Sequence, residues 1–149
     1  MGYVTSVAML IGLGSLPSTA TANEYCSTDM YQRADASLVS AAGGWGSLLR
    51  HQKAFGSCDD GALAEGYSDA VVNLLAYRWD QFDAFVGLSS RSPTFRQWAI
   101  RHIDATASTD DLTRVVGNAA RCTGSAKAKD LCREIARAAR GALKESSEP

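Results

Sequence analysis

The sequence predicts an all-α fold, a compact bundle of about five to six helices stapled by two disulfides. Apolar residues recur at helical spacing along most of the chain, as in Tyr67, Ala70, Val71, Leu74 and Leu75. Hydroxyl side chains stand where helices need an acceptor for their first free N–H groups, at Ser92-Pro93 and at Thr109-Asp110-Asp111. No segment alternates apolar and polar residues as a half-buried strand would. Val71-Val72 comes nearest and is too short to override the helical spacing around it. No sequence period repeats three times, which argues against a solenoid.

The elements follow in order. Residues Val4 to Leu16 form the longest apolar stretch, followed by Pro17 and by small residues ending Ala20-Thr21-Ala22. This pattern predicts a secretory signal peptide over residues 1–22, cleaved after Ala22, because the apolar segment is too short to span a membrane and signal peptidase accepts small side chains. No Lys or Arg precedes Val4, so the free amine supplies the charge of that leader unless a basic segment lies upstream. Asn23-Glu24-Tyr25 before Cys26 is too polar and bulky for a lipidation site, so no stable membrane anchor is expected. Residues 23–149 then make one domain, long enough to bury roughly two-thirds of its unfolded surface.

Within that domain a first helix is expected from Thr28 to about Ala42, ended by Gly43-Gly44, with Trp45 packed on the core and a short helix from Ser47 to Phe55. From Leu63 the helical spacing runs through Leu75 and continues in Trp79, Phe82, Phe85 and Val86. Ser92 as N-cap and Pro93 at the first helical position open the next helix, whose apolar face is Phe95, Trp98, Ala99 and Ile103. Thr109 is the expected N-cap of a helix carrying Leu112, Val115, Val116 and Ala119, with two carboxylates against the positive end of its dipole. Thr123-Gly124-Ser125 turns the chain, and the last helix carries Leu131, Ile135, Ala138, Ala139 and Ala142.

Four cysteines, Cys26, Cys58, Cys122 and Cys132, fall in the mature part, and an even number in an exported chain predicts two disulfides. The short polar segment between Cys122 and Cys132 can fold back and join them, which leaves Cys26 for Cys58. Neither Cys-x-x-Cys nor Cys-x-x-Cys-His occurs, so redox catalysis and haem attachment have no motif to rest on.

Composition excludes other classes. The chain of 149 residues is 46% hydrophobic and 21% charged, with 15 basic and 16 acidic side chains and a net charge of −1. A disordered chain, a collagen-like repeat and a strongly basic nucleic-acid binder each need a more biased composition. A zinc-protease motif, a phosphate loop, a nucleophile elbow and a dinucleotide fingerprint are all missing, so no cofactor and no metal are expected. Cys58-Asp59-Asp60-Gly61 lacks the alternating ligands of a calcium loop and reads as an acidic N-cap. His51 and His102 have no neighbouring histidine at metal spacing and are expected in structural or surface roles.

Charge is unevenly distributed along the chain. Residues 23–90 hold four basic and nine acidic side chains, a net of −5, whereas residues 91–149 hold eleven basic and seven acidic, a net of +4. At about 100° per residue from Leu63, Glu65, Asp69, Asn73, Asp80 and Asp83 fall between roughly 200° and 280° if one helix is continuous, an acidic stripe opposite the core. On that wheel Arg78 falls inside the apolar arc, which implies a bend near Trp79 or a guanidinium reaching past its stem. On the last helix Arg133, Arg137, Arg140 and Lys144 cluster between roughly 180° and 240° from Leu131, away from its apolar side.

These features lead to the expectation of an exported protein-binding module that presents a rigid, charge-polarised helical surface to another protein. Immunity-type inhibitors of secreted toxins share its size, class and compartment, an analogy that no motif carries. Nucleic acid is not an expected partner. The competing expectation is a small cell-wall glycan hydrolase with Glu65 as acid and Asp69 or Asp104 as second carboxylate, which requires an apolar setting to keep the acid protonated. A structural envelope component is the third.

Overall fold

The computed structural model describes Gly2 and residues 25–148, so the expected signal peptide lies outside the described residues apart from Gly2. Among the described residues seven α-helices follow one another: α1 (Thr28–Ala41), α2 (Trp45–Phe55), α3 (Gly61–Tyr77), α4 (Phe82–Arg91), α5 (Pro93–Arg101), α6 (Thr109–Ala120) and α7 (Ala126–Ser147). Single 3-10 turns at Gly56–Cys58 and Trp79–Gln81 link α2 to α3 and α3 to α4, and no strand occurs among the described residues. The fold is all-α, as the apolar spacing requires.

Most helix starts obey the sequence signals. Ser27 accepts from Met30 N, Ser92 from Phe95 N with Pro93 at the first position, and Ser125 from Ala128 N. Each supplies a partner for an N–H that the helix itself leaves open, worth about 1 kcal/mol. Thr109, the expected cap of α6, is instead its first residue; Ser108 takes the cap and accepts from Asp111 N at 3.2 Å. Both hydroxyls can serve, and the chain uses the one with extended backbone, φ −64° and ψ 144°. Gly124, at φ 103°, turns the chain between α6 and α7 in a conformation that side chains rarely adopt.

The count exceeds the expected five to six because the long helix expected from Leu63 is broken. α3 ends at Tyr77, where Asn118 of α6 donates its Nδ2 hydrogens to Leu75 O at 2.9 Å and Ala76 O at 3.0 Å. Those carbonyls would otherwise accept from residues one turn further along α3. Arg78 then leaves the helix and pairs with Asp80 at 3.7 Å in solvent, which accounts for a guanidinium that would otherwise have entered the apolar arc.

The core is built on an aromatic chain. Trp45 at the start of α2, 1% exposed, stacks on Phe85 of α4 with centroids 3.9 Å apart. Phe95 of α5 meets both edge-on and stacks on Trp98, which in turn meets Tyr67 of α3 edge-on at 5.0 Å. Such pairs add about 0.5 to 1.5 kcal/mol each beyond the area they bury, and here they join four helices. On the other side α6 and α7 make the most extensive helix–helix contact among the described residues, and Leu112, Val115 and Ala119 of α6 and Leu131, Ile135 and Ala139 of α7 are all buried. Alanines on both helices permit the close approach.

Both expected disulfides are present. Cys26 and Cys58 lie with Cα atoms 4.8 Å apart and tie the entry to α1 to the turn after α2. Cys122 and Cys132, 6.3 Å apart, close the α6–α7 turn.

Candidate functional site

Two regions concentrate polar chemistry, one sealed and one open. The sealed one begins at Asp59, in the turn between α2 and α3. Its Oδ2 accepts from Trp98 Nε1–H at 2.8 Å and from His102 Nε2–H at 3.1 Å. The other ring nitrogen of His102, Nδ1, lies 3.0 Å from Ser68 Oγ, and that hydroxyl donates to Asp104 Oδ2 at 2.7 Å. Thr106 secures the far oxygen of Asp104 through its amide at 2.9 Å and through its hydroxyl. Ser68 has one hydroxyl proton and sends it to Asp104, while the second carboxylate oxygen of Asp59, Oδ1, is buried without a hydrogen-bond partner.

Burial alone pushes the Asp59 carboxyl up, but hydrogen bonds from His102 and Trp98, with the charges of His102 and Arg101, outweigh it and hold Asp59 below the usual range. Asp104 behaves alike: burial raises it, while the hydrogen bonds of Thr106 and Ser68 and the charge of His102 bring it below the ordinary value.

An Asp, a His and a Ser in a line invite comparison with a catalytic triad, and the geometry opposes it. In a hydrolytic triad the serine faces Nε2 and the carboxylate Nδ1, the reverse of this arrangement. Ser68 is 1% exposed and already committed to Asp104, so no substrate carbonyl can approach its oxygen. The network instead ties α3, α5 and two turns together.

His51 forms a second buried polar site. Its Nε2 lies 3.1 Å from Ala34 O, which can only accept, so that nitrogen carries the hydrogen; Nδ1 then accepts from Tyr67 OH at 2.9 Å. Burial lowers the His51 pKa, and the bond to Ala34 offsets only part of that. Burial also raises the Tyr67 phenol, with the Asp59 charge adding to it, so the phenol keeps its proton as donor. Both histidines thus take the structural roles expected of them.

A pH dependence follows. His51 is neutral in the fold and charges more readily unfolded, so its contribution is complete above pH 6.5 and is lost as pH falls from there toward its lowered folded value. Asp59 and Asp104 stabilise above the unfolded value of 3.8 and lose that contribution as pH falls through their depressed folded values. Urea midpoints are therefore expected to decline in two stages on acidification, with His51→Gln abolishing the upper stage only. A flat midpoint between pH 7 and 5 would refute the neutral buried His51.

The sequence-derived site residues lie elsewhere. Glu65, Asp69 and Asn73 are exposed on the outer face of α3. Asp80 and Asp83 are exposed too, but they follow the break, in the 3-10 turn and on α4, and line a small cleft with Arg121 and Cys122. One continuous acidic stripe therefore does not form, because Asn118 ends α3 first. Glu65 is exposed on the outer face of α3, which is not the apolar setting that a glycosidase acid requires.

The open region is on α7. Arg133, Arg137 and Arg140 are exposed on one side of it, as the helical wheel requires. Lys129, Arg133, Arg137 and Arg140 line a groove of about 560 Å³ between α6 and α7, floored by alanines and by the Cys122–Cys132 disulfide. Arg137 also borders a second groove, of about 770 Å³, between α5 and α7, where Arg96 and Arg101 add positive charge. Arg96 is held by Glu134 at 2.7 Å and Arg133 by Asp130, whereas Lys129, Arg137 and Arg140 have no carboxylate within 4.0 Å among the described residues.

No group of acids, cysteines and histidines among the described residues is arranged to hold a metal ion, and no described helix is long and apolar enough to cross a membrane. Comparison with known protein families, with curated proteins and with solved structures returns no significant match.

Proposed function

We propose that the chain is an exported helical module that binds another protein, one with an acidic surface, through the basic outer side of α7. The observation that carries this reading is the set of three cations without carboxylate partners, Lys129, Arg137 and Arg140, gathered on one groove. Charge complementarity of this kind chiefly accelerates encounter. A long polyanion suits the molecule less well, since residues 23–90 carry a net charge of −5 and would repel it. Two disulfides and a core joined by stacked aromatics hold the helices rigid, so little ordering entropy is lost on binding. The disulfides are also the feature that favours export. Immunity-type inhibition of a secreted toxin is the particular activity that these properties suit.

The test is capture from envelope extract by wild type, by Arg137→Glu/Arg140→Glu and by Glu65→Lys/Asp69→Lys. Loss with the α7 variant alone, together with a fall of about tenfold or more in association rate at low ionic strength, is expected. Loss with the α3 variant alone would move the interface to the acidic side. Unchanged capture by both would remove the charged faces from the function.

A further inference from the structure

The two disulfides sit in opposite electrostatic surroundings. Cys26 and Cys58 line a groove with Tyr25, Tyr31, Ser57 and Asp60, whose one ionised group among the described residues is a carboxylate. Cys122 and Cys132 line the α6–α7 groove, whose charged lining is wholly cationic. Their exposure differs as well: Cys132 is 3% exposed, while Cys122 is half-buried and reachable from solvent. On its other side Cys122 borders the cleft of Asp80, Asp83 and Arg121, so an anion is steered to it along α7 rather than past α4.

We propose that the Cys122–Cys132 disulfide is an exchange site for small thiols that carry carboxylates, with reversible thiolation at Cys122. The incoming thiolate attacks Cys122 Sγ and forms a bond to it. The Cys122–Cys132 bond breaks, and its electron pair departs on Cys132 Sγ as a thiolate. Return attack by that thiolate on Cys122 Sγ restores the original disulfide and expels the small thiolate, so the cycle needs no external oxidant. Lys129, one helical turn before Cys132 and without a carboxylate partner among the described residues, stabilises the departing thiolate, and a more stable leaving group leaves faster. Lys129, Arg137 and Arg140 are available to the carboxylates of the attacking molecule. The hairpin tolerates the opening, because the contact between α6 and α7 is the most extensive among the described residues.

The test treats the full oxidised protein with glutathione, 2-mercaptoethanol or cysteamine at equal thiolate concentration and low ionic strength, followed by acid quench and peptide mapping. Each rate is divided by that thiol's rate with a neutral small disulfide, which removes differences in intrinsic nucleophilicity. Glutathione is expected to modify Cys122 about tenfold faster than 2-mercaptoethanol on this scale, with cationic cysteamine slowest. The preference should collapse in 0.5 M salt and in Lys129→Gln/Arg137→Gln/Arg140→Gln. Equal normalised rates for the three thiols, first attachment at Cys132, or faster opening of Cys26–Cys58 would each overturn the proposal.

Discussion

Replacing Asp59 with alanine is expected to destabilise the fold by about 2 to 6 kcal/mol, because two buried donors lose their acceptor at about 1 to 3 kcal/mol each. The loss is large because Asp59 is the common acceptor for two donors. Without it, Trp98 Nε1–H and His102 Nε2–H face a cavity, and His102 is 9% exposed by side chain. Asp59→Asn keeps an oxygen for Trp98 and loses only the charge, so a smaller loss of about 1 to 3 kcal/mol is expected. Urea unfolding of both variants measures this. A loss under about 1 kcal/mol for the alanine variant would show that the network contributes nothing beyond what water supplies.

Removing the Cys26–Cys58 bridge in Cys26→Ser/Cys58→Ser is the second large effect, about 3 to 4 kcal/mol from the loop that it closes in the unfolded chain. The bridge spans 32 residues against 10 for Cys122–Cys132, so the second pair should contribute about 1 kcal/mol less. It encloses the whole of α1 and α2, and α1 buries only Ala34 and Ala41, with Met30, Tyr31 and Leu38 partly buried against the core. The first helix is therefore held as much by the crosslink as by its packing. Equilibrium unfolding of the two double variants gives the order directly; an inverted order would mean that residual structure or strain outweighs loop closure.

What was legible in the sequence is what is decided locally. Apolar spacing and Ser92-Pro93 involve residues within one or two turns of each other, and they placed most of the helices and the start of α5. The disulfide pairing was legible because a ten-residue separation restricts one bridge and elimination gives the other. The end of α3 was not, since the group that ends it is Asn118, more than forty positions away and unremarkable as a residue of α6. The acidic stripe failed as a single feature for the same reason.

Asp59, Ser68, His102 and Asp104 were equally hidden. Each has an ordinary local explanation, and Asp59 beside Asp60 looked like a helix cap; only Asp60 accepts from the first amide of α3. Their meeting depends on how α3 and α5 pack, which no spacing rule reports. The basic side of α7 was visible because it lies on one continuous helix, while its grooves required the neighbouring α5 and α6.

The Asn118 amide has a consequence for how the chain folds. The last turn of α3 is closed by a side chain delivered by α6, and α6 is packed along α7, so α3 does not reach its final boundary without the C-terminal hairpin. Slow hydrogen exchange at the end of α3 should thus report on docking of the C-terminal hairpin rather than on local fraying, and the two should share one opening free energy. Asn118→Ala would uncouple them: the end of α3 would exchange by its own motions while the hairpin kept its protection. The boundary between two helices is, in this molecule, a joint through which two halves of the sequence unfold together.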